Sequence, residues 1–202
     1  MKERPIIFSG PMVKAVLAGR KTQTRRIVKG KWISLVEQVL MVNGKRVFDT
    51  LEYDLTTPYG ILDDRLWVKE TFRISESSCN DYSPSKDDVH YRADDDECGG
   101  GPWKPAIYMH RHLSRLTLEI IDVRVQRLQE ITEEDVKAEG AMFHNGGEIG
   151  HSGWRHDFKD VHSNARSSFG RLWNSIHGED AWNENPWVWA ITFKKLCPPT
   201  AK

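Results

Sequence analysis

Leu17-Ala18-Gly19-Arg20-Lys21-Thr22-Gln23-Thr24-Arg25 joins the end of a short helix to the start of a strand. Pro11 suits a first helical position, where its missing N–H has no partner to lose. Met12, Val13, Val16 and Leu17 recur at helical spacing. Gly19 can take the left-handed conformation that closes a helix. Arg20 to Lys29 hold no acidic residue and turn from the helix into a strand. Pro5 to Ser9 reads as a first strand before the helix.

This junction offers chemistry. A helix end and a glycine expose the backbone that follows. Lys21 and Arg25, with Arg20 beside them, present donors for a phosphate or a carbonyl oxygen. The Thr24 hydroxyl is a nucleophile or a ligand donor. A structural alternative stands beside this: Arg20 and Lys21 lie where cations complement a helix C-terminus, and Arg25 and Arg26 can simply flank a strand. Geometry adds a condition. On a straight strand Lys21 and Thr24 point to opposite faces, so the chain must bend after Lys21 for them to share a site.

Working outward, Arg65 to Phe72 reads as a strand. Leu113 to Leu128 is the longest strand candidate. Leu116, Leu118 and Ile120 fall on one parity, and Ile121, Val123 and Val125 on the other. Such a swap predicts a bulge or a sharp bend, as in a sheet that closes into a small barrel. Ile131 to Gly140 carries a helix start, with Thr132 as cap, Asp135 at the capping-box position, and Ile131 placed to staple to Val136. Phe169, Leu172, Trp173 and Ile176 define an amphipathic helix stopped by Gly178. Trp187 to Phe193 is apolar on both faces and reads as a buried closing strand. Residues 30–60, with a turn signal at Asn43-Gly44, and the polar stretches 75–105 and 142–164 read as insertions, the last two as loops. The whole reads as one α+β domain.

The stretch Leu17 to Arg25 resembles the signature of the ASCH family. Arg65 to Thr71, the helix at Ile131 to Gly140, and Asn185-Pro186-Trp187-Val188-Trp189 are similar to a longer subgroup found in phage and prophage genomes. The resemblance implies a PUA-like fold: a small mixed β-barrel with flanking helices, here carrying long loop insertions. One branch of the family hydrolyses N4-acetylcytidine to cytidine and acetate with a lysine, a threonine and a glutamate. Residue by residue, Lys21 and Thr24 match the first two, and Glu139 is the best match for the third. This chain is about twice the length of that branch. The implied work is recognition of RNA or a modified nucleoside, with hydrolysis of an N4-acylated cytidine-type amide. The alternatives are a non-catalytic RNA-binding module and a phage accessory protein that binds a protein partner.

For hydrolysis, Thr24 attacks and Lys21 serves as base, which requires a lysine below about 10.4. Burial, Arg20 and Arg25 are expected to lower it. Glu139, in the last turn of its helix, is expected to have a raised pKa, because the dipole there disfavours negative charge. Arg25 is placed to hold an oxyanion or a phosphate oxygen. Trp103 and Arg111 are secondary candidates, for stacking on a base and for contacting phosphate. Glu70 faces the pocket or pairs with an arginine.

Composition sets the bounds. Lysine plus arginine and aspartate plus glutamate number 29 each among 202 residues. No global positive field exists to gather a long duplex. Eight tryptophans are dense enough to fill a core or line a stacking pocket. Cys79, Cys98 and Cys197 form no CxxC pair, which suits reduced thiols in a cytoplasmic setting. His144, His151, His156 and His162, with Cys98, show no tight metal-binding spacing, so neither metal nor cofactor is expected. The opening residues carry too short an apolar run for a signal peptide, and no stretch approaches a membrane span.

Overall fold

The computed structural model describes residues 1–30, 32–34, 36, 47–49, 57–75, 88–94, 101–145, 152–155 and 164–196. It is an α+β arrangement. The main sheet contains β1 (Glu3–Ile7), β2 (Gln23–Ile27), β3 (Val47–Asp49), β4 (Arg65–Lys69), β7 (Thr117–Arg127) and β10 (Trp187–Leu196). Its order is β1-β4-β7-β10-β2, with β3 also on β7. β1 and β4 run parallel, and the other pairs are antiparallel.

β7 organises this sheet. On one edge it pairs with β10 along nearly its whole length, and on the other β4 takes its first half and β3 its second. The expected bulge is present. Thr192 pairs with Asp122 and Phe193 with Ile120, so Ile121 has no partner on β10 and is 44 % exposed. The extra residue lets Leu118 and Ile120, of one parity, share a core with Val123 and Val125, of the other. β10 is buried on both faces, as its composition predicts. Trp187, Trp189, Ile191 and Phe193 join Phe8, Val13 and Val16 in the main core, while Val188 packs with the helices.

The sheet curls, but its ladder does not close among the described residues. β1 and β2 are its two margins. They are joined by a side chain: Arg26 Nη2 on β2 donates to the Ile7 carbonyl on β1 at 2.6 Å. The expected closed barrel is therefore not formed among the described residues, where a guanidinium stands in place of a strand pair.

Helix α1 (Gly10–Leu17) buries Val13, Ala15 and Val16 against the sheet, whereas Leu17 is exposed. α2 (Glu133–Ala138) begins at the expected capping box of Thr132 and Asp135. Ile131 and Val136 share its small core with α3 (Ala165–His177). Ile176, expected on the apolar face of α3, is exposed.

Other expectations change. The strand read from Arg65 to Phe72 breaks at Glu70. Its continuation, β5 (Phe72–Ile74), pairs instead with β6 (Val89–Tyr91), so the 75–105 stretch is partly folded and buries Val89, Tyr91 and Ala93. Within 142–164, β8 (Met142–Asn145) and β9 (Ser152–Arg155) form a two-stranded sheet in place of a loop. Val47–Asp49 belongs to the main sheet and is no excursion from it. The Asn43-Gly44 turn, the three cysteines, and His151, His156 and His162 lie outside the described residues. Among the described residues no helix is long and apolar enough to cross a membrane, and no His, Cys, Asp and Glu group forms a metal cluster.

Candidate functional site

The bend that the sequence requires comes before Lys21, not after it. Gly19 adopts φ +71°, its N–H donates to Val16 O at 3.0 Å, and the Arg20 N–H donates to Ala15 O at 2.9 Å. This crossed pair is a Schellman motif, which satisfies the last carbonyls of α1 and reverses the chain. The Lys21 N–H also reaches Ala15 O, and β2 begins only at Gln23. Lys21 is thus outside the strand and free of its alternation.

The reversed chain meets a second helix end. The Thr22 N–H donates to Ala138 O at 2.8 Å, Lys21 Nζ to Glu139 O at 3.1 Å, and Arg20 Nη1 to Gly140 O at 3.4 Å. Three carbonyls at the end of α2 that lack helical partners are answered by three successive residues of the signature. Gly140 permits the approach. At φ +105° it would set an added Cβ 3.3 Å from Ala15 Cβ and 3.5 Å from Lys21 Cβ. The cations complement a helix C-terminus, as the structural alternative holds, but that of α2 as well as α1.

Lys21, 3 % exposed, lies inside a charge cluster. Its Nζ donates to Glu139 Oε2 at 2.6 Å, Gln23 O at 2.8 Å and Glu139 O. Three protons meet three acceptors. Arg25 Nη1 donates to Glu139 Oε1 at 3.0 Å and to Gln23 Oε1 at 2.6 Å. Its Nη2 is 2.9 Å from Asp135 Oδ2, in ion-pair contact but off the hydrogen-bond direction. Asp135 also faces Arg124 at 3.2 Å. The Asp135 carboxylate therefore caps its own helix through Oδ2 and holds Arg25 toward Glu139, one helical turn on.

Burial pushes the Lys21 ammonium below its usual range; Glu139 opposes this, and Arg26 and Arg25 add to it. The expected contribution of Arg20 falls to Arg26, because Arg20 is exposed. The expectation for Glu139 is reversed. Burial alone would raise its carboxyl, but Lys21 and Arg25 hold it below the usual range. Two direct cation contacts outweigh the helix dipole. Glu139 is thus a carboxylate, and Lys21 is the group brought closer to losing its proton.

Thr24 is buried on β2, on the face opposite Gln23 and Arg25. It pairs with Ile191, and Arg26 with Trp189, so both face the main core. Lys21 and Arg26 meet at Phe8: Lys21 Nζ is 5.8 Å and Arg26 Cζ 5.7 Å from its ring centroid. The Thr24 hydroxyl makes no hydrogen bond among the described residues. Lys21, Arg25 and Glu139 are assembled by direct bonds, and Thr24 lies on the opposite face of β2 from Arg25.

The other candidates sit in separate contacts. Glu70 is buried and accepts from Arg115 Nε and Nη2, while Arg115 Nη1 pairs with Asp94 and the guanidinium stacks 4.0 Å from the Tyr91 ring centroid. Burial raises its carboxyl, with Arg115 opposing. Arg111 pairs with Glu3 and reaches Thr117 Oγ1. Trp103 stacks under Arg73 at 4.5 Å. A cavity of about 350 Å³ opens at the start of α3, lined by Glu133, Asn164 to Ser167 and Trp182, and includes none of the expected residues.

No family model matches the chain, and no curated protein or solved structure matches it.

Sequence reasoning missed Gln23, Arg26 and Arg115, and it read Asp135 as a cap alone. Gln23 and Arg26 stood inside the signature and were legible as neighbours of Lys21. Arg115 carried no signal, since nothing in its surroundings names a carboxylate 45 residues earlier.

Proposed function

We propose that this chain is an ASCH-type module, PUA-like in fold, that handles RNA or a modified nucleoside, with Lys21, Thr24 and Glu139 as its working set. The observation that carries the reading is the contact of Lys21 Nζ with Glu139 Oε2 at 2.6 Å, across 118 residues of sequence. The resemblance names these two residues before any geometry is known.

The chemistry that fits is hydrolysis of an N4-acylated cytidine-type amide. Thr24 Oγ1 attacks the acyl carbonyl carbon and passes its proton to a neutral Lys21 amine. That proton then goes to N4 as the C–N bond breaks, leaving an acyl-threonine ester and cytidine. Water hydrolyses the ester, returning Thr24 and releasing the carboxylic acid. Burial supports the lysine role by weakening its hold on a proton. Arg25 acts on Glu139 and not on the substrate, since its terminal nitrogens are committed to Glu139, Gln23 and Asp135.

The test is incubation with N4-acetylcytidine and related N4-acyl nucleosides, following cytidine release. Turnover is expected, with a loss of at least about 10³-fold in Lys21→Ala and Thr24→Ala, as for other groups that act as one unit. No turnover on any substrate sinks the hydrolase reading. A second reading, recognition without catalysis, is favoured by one observation: all three Lys21 protons already have acceptors.

A further inference from the structure

The solvent face of β1 and β4 has a composition that the Lys21 site does not explain. Along these parallel neighbours Pro5 lies beside Trp67 and Ile7 beside Lys69. Ile7 is 48 % exposed. Lys69 Nζ lies 5.5 Å from the Trp67 ring and also donates to the Ile107 carbonyl. Arg65 stands on the same face, and Arg111 reaches across it to Glu3 and Thr117.

That lysine contact docks the turn Ala106–Tyr108 beside the sheet. Ile107 and Tyr108 are 62 % and 66 % exposed, although the backbone around them is pinned. Lys104 and Phe72 exchange backbone hydrogen bonds at 2.7 and 3.2 Å on one side. Met109 and Leu113 are buried on the other. A fixed turn that shows two large apolar side chains to water, next to a half-covered tryptophan, is a surface built for contact.

Charge identifies the occupant. The chain has no net charge, yet residues 99–118 hold no acidic residue; Arg111 is engaged by Glu3 and Arg115 by Glu70 and Asp94, which leaves Lys104 as the cation this segment offers. The sheet face adds Arg65 and Lys69 against Glu3 and Glu119, which Arg111 and Lys194 already engage. Rings interleaved with cations suit a ligand with planar groups along an anionic backbone. A duplex hides its base faces, and a membrane surface has none. The geometry points to a docking platform for single-stranded RNA on this face, with Tyr108 and Trp67 stacking on bases and Lys104 and Lys69 meeting phosphates. The choice of RNA over DNA rests on the function proposed above.

The experiment is fluorescence anisotropy of the full chain with a labelled ten-nucleotide RNA, beside the same sequence as DNA and as duplex RNA. The expected result is tightest binding of the RNA strand. Tyr108→Ala weakens it about tenfold, as loss of one stacked base does, and Tyr108→Phe retains it. Lys104→Ala lowers the slope of log affinity on log salt by about 0.7. Tyr108 and Lys104 are exposed, so circular dichroism should show both variants folded. No binding in 50 mM salt, or binding indifferent to Tyr108, overturns the platform. Equal or tighter binding of DNA overturns the choice of RNA. A dimer in sedimentation that Tyr108→Ala dissociates assigns the face to a second copy and overturns the proposal as well. Strand binding through Tyr108 without nucleoside turnover removes the hydrolase reading and keeps this one, and the converse result does the reverse.

Discussion

Glu139 holds two buried cations at once, and its removal should cost more than a surface carboxylate would. Glu139→Gln keeps the shape and leaves Lys21 and Arg25 without their shared anion. A loss of about 3 kcal/mol is expected, the scale for breaking a buried pair, measured by urea unfolding at pH 7. The pH dependence follows from the same carboxylate. Its folded pKa is below the ordinary 4.5, so its stabilisation is complete above that value and drains as pH falls through the folded pKa. The wild type should therefore lose stability steeply below pH 4.5, and Glu139→Gln should show a shallower slope. Lys21 acts in the alkaline range. Its folded pKa lies below 10.5, so the unfolded chain binds that proton more tightly and stability rises as pH climbs toward 10.5. The sequence made Lys21 and Glu139 legible because the family resemblance matches one in the signature and the other in the short helix. It left Asp135 as a cap and gave Gln23 no role, because a one-dimensional pattern does not say which carboxylate an arginine will meet.

Two helix ends converge on the signature, and two glycines make this possible for different reasons. Gly19 has a left-handed backbone but open space where a Cβ would go, while Gly140 has both a left-handed backbone and close neighbours. Gly19→Ala should cost about 1 kcal/mol, from backbone strain alone. Gly140→Ala should cost about 2 kcal/mol or more, because Ala15 or Lys21 must also move. Thermal melts of the two variants side by side check the order; equal costs would mean that the α1–α2 approach is loose. Elements with internal periodicity were readable in advance: the cap of α2, the burial of β10, and the bulge at Ile121 from its parity change. The break at Glu70 was not, because Arg65 to Phe72 is uniformly strand-like and only the burial of Glu70 against Arg115 explains where it ends. The β8–β9 pairing was hidden by the glycine and histidine content of its surroundings.

Across the whole molecule, curvature matters more than strand count. β7 bends at its bulge, β10 follows, and the margins β1 and β2 come within reach of one side chain. Arg26→Ala removes that link while leaving every ladder intact. The expected cost is about 1 kcal/mol, the scale of a half-exposed bond to a charged donor. Amide exchange should quicken in β1 and β2 and remain slow in β7, which hydrogen-exchange measurements resolve. Uniform acceleration would show that the link supports the entire sheet.

The bond from Arg26 to the Ile7 carbonyl also makes the molecule mechanically uneven. Tension along β7 and β10 loads many parallel hydrogen bonds together. Tension between Ile7 and Arg26 loads one bond, with no ladder beside it to share the force. Pulled across that line, the sheet should part like a cuff at its button, well before tension along its long strands tears the weave.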